Sequence, residues 1–157
     1  MLITRNITGI SFNQIFLWTL IALLSLFSSG CSIKLVADYD PVIDKTVTEL
    51  QQSTAAFFTK MKTASDADRT YDKNKAFYAD AKAVVSSLIL RSKIIEQDLK
   101  KTSLTDNFVS LDKLYDELEK EHKNNPSKIY FKSSEAAFDQ AFRAIIKHMV
   151  FLKWNKS

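Results

Sequence analysis

Two histidines, one cysteine and three methionines are the whole supply of soft or imidazole ligands in this chain of 157 residues. Glu119-x-x-His122 has the spacing with which helical bundles build di-metal centres, where two helices each contribute a Glu and a His three residues apart. The other histidine, His148, has Ile145 in the matching position, so the second half of such a site is missing. Met61 and His148 are the remaining pair with haem-ligand chemistry. In an up-down-up-down bundle His148 falls level with Val47, fourteen residues and roughly 21 Å from Met61. No C-x-x-C-H motif exists for covalent haem attachment. Nucleophilic chemistry is equally bare, because a G-x-S-x-G elbow or a phosphate-cradling loop needs glycines that residues 31–157 lack. Adjacent carboxylates such as Asp116-Glu117 read as a solvated helix face. No catalytic residue, metal site or cofactor is expected, and the chain is read as no enzyme.

That leaves the single thiol, Cys31. Before it, residues 1–14 carry one basic residue, Arg5, and no acid, and residues 15–27, IFLWTLIALLSLF, are thirteen positions without a charge. Ser28, Ser29 and Gly30 follow. A positive n-region, a short apolar h-region and small residues at a cut site make a secretory signal. About 20 apolar residues are needed to cross a bilayer as a helix, more than this run holds. Ser28-Ser29-Gly30-Cys31 resembles the lipobox of bacterial lipoproteins, although Ser28 stands where Leu is usual. The resemblance covers residues 1–32. It implies that residues 1–30 are removed and that Cys31 becomes a lipidated N-terminus. Each buried methylene contributes about 0.8 kcal/mol, so two or three acyl chains hold a protein on a membrane. Ser32, in place of the Asp that marks inner-membrane retention in many such proteins, implies the outer membrane, facing the periplasm. A retained membrane anchor and a buried, inert cysteine are the alternatives. The sequon Asn6-Ile7-Thr8 lies in the discarded segment.

The elements that follow are helical. Gly9 and Gly30 are the only glycines, so the chain from Cys31 onward has none for the positive-φ turns of tight hairpins. Residues 31–39 form a short tether; its eight residues from Ser32 to Tyr39 span at most about 26–29 Å. Residues 40–157 form the domain. Asp40-Pro41 reads as an N-cap with proline in the first turn. Ile43, Val47, Leu50, Thr54, Phe57 and Met61 then recur at steps of four and three. A second helix over about 70–101, capped by Ser65 or Asp68, places Phe77, Ala81, Val85, Leu88, Ser92, Ile95 and Leu99 on one face. Ser103 and Asp106 suggest a capping-box variant opening a third helix. Its stripe is Phe108, Leu111, Tyr115, Leu118 and His122. Residues 127–132 read as a connector. A fourth helix from about Ser134 carries Phe138, Ala141, Ile145, Met149 and Leu152. Four such stripes predict an all-α fold, an antiparallel four-helix bundle.

A formal charge of +4 without a clustered basic stripe excludes a nucleic-acid partner. One surface stands out. Ile146, Val150, Phe151 and Trp154 fall off the fourth stripe and mix with Arg143, Lys147, Lys153 and Lys156. Val150, Phe151, Lys153 and Trp154 are therefore the candidate contact with a membrane or a partner; the alternative is that they close the core against Val36 and Tyr39. Tyr39-Asp40 and Thr48-Glu49-Leu50-Gln51 are similar to a segment of small helical bacterial lipoproteins, a likeness of roughly twenty residues that brings no activity with it. The expected function is a non-catalytic, membrane-anchored module that binds or scaffolds another envelope component. The alternative is a carrier or sensor of a small apolar ligand held between helices.

Overall fold

A computed structural model describes residues 37–99, 103–124 and 127–154, all within one compact unit, Lys34–Ser157. Cys31, the signal segment, Val36 and Lys156 lie outside the described residues. Four helices make up the described chain: α1 (Pro41–Thr63), α2 (Tyr71–Glu96), α3 (Ser103–Asn124) and α4 (Lys128–Trp154). Among the described residues there is no strand, and none has a positive φ, in line with the absence of glycine from residues 31–157.

Helix α1 forms as its sequence dictates. The Asp40 carboxylate accepts from the amides of Val42 and Ile43 at 2.8 and 3.4 Å, and Pro41 occupies the first turn. All six residues of its expected stripe are buried, with Phe58 beside them. Helix α3 buries its expected stripe too, together with Leu104 and Thr105.

Helix α2 departs from expectation. Its buried line is Asn74, Tyr78, Ala81, Val85, Leu88, Ser92 and Glu96, one residue off the apolar reading at each end. Phe77, Ile95 and Leu99 are only partly buried. Neither Ser65 nor Asp68 caps it. They bond each other instead, with Ser65 Oγ donating to the Asp68 carboxylate at 2.6 Å, and the N-cap position is Thr70. The loop is held from inside by Asn74, whose Nδ2 donates to the carbonyls of Asp68 and Thr70 at 2.9 and 2.8 Å. Nor does α2 run to 101; it ends at Glu96. That carboxylate turns to accept from the amides of Leu104 and Thr105, both at 2.9 Å. The last residue of α2 thereby holds two free amides in the first turn of α3, where a negative charge also meets the positive end of the helix dipole. Ser92 completes the junction by accepting from Thr105 Oγ1 at 2.9 Å.

The fourth helix begins at Lys128, not near Ser134. Ser127 Oγ accepts from the Tyr130 amide at 3.3 Å, and Phe131, seven residues before Phe138, is fully buried. The expected connector is thus two further turns of helix that bring one more aromatic into the core. Phe142 takes the buried place expected of Ala141.

Each helix packs on two others: α1 on α2 and α4, and α3 on α2 and α4. Thr54 and Tyr115 bridge α1 and α3 across the centre. Thr54 Oγ1 donates to the Leu50 carbonyl at 2.7 Å, so Tyr115 Oη donates to Thr54 at 2.5 Å. Burial pushes the Tyr115 phenol well above its ordinary pKa.

Candidate functional site

Three features of the surface and interior bear on function. The first is the end of α4. Val150, Phe151 and Trp154 are 46%, 55% and 78% exposed, whereas Ile146 packs partly against the core. They follow from the helical period: Ile145, Met149 and Leu152 take the inward positions, and their neighbours turn outward. Lys153 folds back so that its ammonium lies 5.8 Å from the centroid of the Tyr39 ring, within cation–π range. Tyr39 Oη in turn donates to Asp44 at 2.6 Å, a bond that raises the phenol's pKa. The far end of α4 therefore lies beside the residues that lead into α1.

The second feature is a groove along the seam between α1 and α2. Leu50, Phe77, Ala81 and Val84 line a hollow of about 300 Å³, with Glu49 and Asp80 among its polar rim. A second hollow of about 320 Å³ shares Ser53 and Phe77 with it and adds Phe57, Lys60 and Lys73. Ala56 and Ala76 are among the residues that line the second hollow. Phe77, expected in the core, instead stacks face to face on Phe57 with ring centroids 3.8 Å apart. The volumes match the lower range of small-molecule sites.

The third feature is a buried polar network where the α1–α2 loop meets the end of α3. His122 is buried, and both ring nitrogens are engaged. Nε2 lies 2.5 Å from the Arg69 carbonyl, which only accepts, so this nitrogen carries the proton. Nδ1 is then the acceptor for Tyr78 Oη at 2.7 Å. Burial holds the His122 pKa below its ordinary value and pushes the Tyr78 phenol well above its own. Rings of Phe57, Tyr71, Tyr78 and Phe131 surround the imidazole. Glu119 faces elsewhere. It accepts from Lys123 at 2.9 Å, Tyr71 Oη at 2.7 Å and Lys82 at 3.1 Å, and these bonds, Lys123's first, lower its pKa to about 2. Lys82 also pairs with Asp116 at 2.6 Å. The Glu119-x-x-His122 spacing thus divides into a surface ion-pair cluster and a core hydrogen-bond relay. Arg69 is buried, its guanidinium bound to Asp66, and its Nε is the one buried side-chain polar atom without a partner among the described residues.

The other sequence candidates stay apart. Lys62 binds Glu135 through both carboxylate oxygens at 2.7 and 2.8 Å, which sets Met61 beside the start of α4. His148 stands thirteen residues beyond Glu135, about 20 Å along the helix. Among the described residues, no three His, Cys, Asp or Glu side chains group to hold a metal, and no helix is long and apolar enough to cross a membrane. Apolar periodicity passes over Asn74, Tyr78, Arg69 and Glu96. The available signal was spacing, since Asn74, Tyr78, Ala81 and Val85 follow one helical face as regularly as Phe77, Ala81 and Val85 do.

Comparisons with known protein families, with curated proteins and with solved structures return no match.

Proposed function

We propose that this protein is a bacterial envelope lipoprotein: a non-catalytic antiparallel four-helix bundle, anchored through lipid on Cys31, that binds or scaffolds another envelope component. The observation that carries the reading is the lone cysteine set directly after a thirteen-residue uncharged run and Ser-Ser-Gly. Removal of residues 1–30 leaves the bundle on its short tether, at the outer membrane and facing the periplasm. Three pairings support the antiparallel order. Asp40, at the start of α1, binds Arg91 near the end of α2. Tyr78, early in α2, meets His122 at the end of α3. Lys62, at the end of α1, meets Glu135 early in α4.

Lipid attachment is tested by growing cells with labelled palmitate. The wild-type chain should incorporate label and shorten; Cys31→Ala should remain unlabelled and full length. Equal labelling of both would sink the anchor. Scaffolding is tested by capture from crosslinked envelopes, and failure to enrich any envelope component over a Cys31→Ala control counts against it.

The α1–α2 groove favours a second reading, carriage or sensing of a small apolar ligand. Ser53 lines both hollows and is exposed, so Ser53→Trp should fill the groove without touching the core. Organic extracts of the purified wild-type protein should then contain a small molecule that the variant lacks. Identical extracts would dismiss this reading.

A further inference from the structure

We infer that one end of the bundle seats end-on against a phospholipid bilayer through a collar of exposed apolar side chains drawn from three helices. Apart from Ile129, the large hydrophobic residues exposed among the described residues are Val42, Leu90, Ile94, Val150, Phe151 and Trp154. They come together at one end. Arg91, in the turn between Leu90 and Ile94, binds Asp40, which caps the helix turn that holds Val42. Lys153, next to Trp154, lies against Tyr39. The start of α1, the last turns of α2 and the end of α4 therefore gather around residues 39 and 40. Ile129, at the start of α4, belongs to the other end.

The depth of the collar fits an interface. Val42 is the second residue of α1, and Trp154 is the last of α4. Leu90 is the farthest in, six residues from the end of α2, which is about 9 Å. Apolar faces of interfacial helices sink about 5–10 Å into the head-group and acyl boundary. Helices α2 and α4 are not neighbours, so their outward residues lie on opposite sides of the bundle. Such a ring suits an end pressed into a surface and does not suit a helix lying flat on one. Trp154 adds the residue type that favours the membrane–water boundary.

The path of the chain argues for a bilayer as the occupant. The described chain begins at Ala37, three residues before Asp40, and Cys31 is six residues earlier still, at most about 20–22 Å away. This step rests on the lipid-anchor reading of Cys31. Charges around the collar are of both signs, Lys93 and Lys153 with Asp44 and Asp98, and Arg91 is already paired. The contact is therefore apolar, and neutral lipid is enough to make it.

The test uses the full chain carrying Trp18→Phe, which leaves Trp154 as its only tryptophan. Purified from envelopes, it is reconstituted into phosphatidylcholine vesicles with brominated acyl chains. The chain should float with the vesicles, its emission should move to the blue, and bromine should quench it about twofold, in low and high salt alike. Adding Leu90→Ser with Ile94→Ser should remove at least about half of that quenching, and Ile129→Ser none of it. Flotation with Trp154 unquenched and open to water overturns the seating and leaves the anchor standing. Quenching on a chain whose Cys31 carries no acyl group overturns the anchor and leaves the seating standing. A chain that does not float overturns both. A blue shift that grows with protein concentration in the absence of vesicles assigns the collar to a second copy of the chain and overturns the seating.

Discussion

The two ends of the bundle are built from different chemistry. At the end formed by the α1–α2 loop, polar groups are buried and, Arg69 Nε apart, bonded. Asn74 holds two loop carbonyls, His122 links Arg69 to Tyr78, and four aromatic rings close around the imidazole. At the end around Asp40, apolar side chains face outward: Trp154 is 78% exposed and Leu90 63%. A buried polar group without its partner costs about 1–3 kcal/mol, so the first end is fixed in one arrangement. Exposed apolar surface constrains the fold little and is free to meet something else. One end specifies the structure, and the other is where we propose a contact.

The largest expected effect is at the polar end. His122→Ala empties a core site and strands both the Tyr78 hydroxyl and the Arg69 carbonyl, so denaturant unfolding should show a loss of about 3 kcal/mol. A loss below about 0.5 kcal/mol would mean that the network does not hold this end. Glu96→Ala comes next. It removes two charge-assisted bonds to the amides of α3 and should cost about 2 kcal/mol by the same measurement.

Acid should separate the groups by pH. The His122 pKa is lowered in the folded state, so its contribution is complete above the ordinary value of 6.5 and is lost as pH falls below it. Stability measured from pH 8 down should begin to decline near 6.5, and His122→Ala should flatten that first decline. Glu119 acts lower. Its folded pKa is about 2 against an ordinary 4.5, so its contribution is present above 4.5 and fades between those values. Glu119→Gln should remove part of the acid loss in that window only.

The smallest effect is expected at the collar. Leu90→Ser with Ile94→Ser should change unfolding free energy by less than about 0.5 kcal/mol, since both side chains already face water. A larger loss would show that the two ends share the task of holding the fold.

How much of this was legible in the sequence differs by helix. The stripes of α1 and α3 read correctly because every position in them but Thr54 and His122 is apolar, and those two fall on the same helical step. Helix α2 misled because its buried line ends in Asn74, Tyr78 and Glu96, whose partners lie outside the helix face. His122 sits 44 residues from Tyr78 and 53 from Arg69, and no periodicity registers such pairs. The early start of α4 was missed because Tyr130 and Phe131 stand amid lysines and serines, a composition that suits a loop equally well. The tip of α4 was legible as residues off the stripe. Leu90 and Ile94 are off-stripe by the same rule, two positions beyond Leu88 and Ser92, but what makes them part of a collar is the Arg91–Asp40 pair, which only the fold provides. The reading of Cys31 rests on the sequence alone, since it lies outside the described residues.

The contrast between the ends can be read in one measurement. Two chains are compared in bromolipid vesicles, each with a single tryptophan: Trp18→Phe, which keeps Trp154, and Trp18→Phe with Trp154→Phe and Ile129→Trp. The account predicts strong quenching of the first and none of the second, whose probe stands a helix length of about 40 Å from the collar end. Equal quenching of the two, or quenching of the Ile129→Trp chain alone, would contradict it.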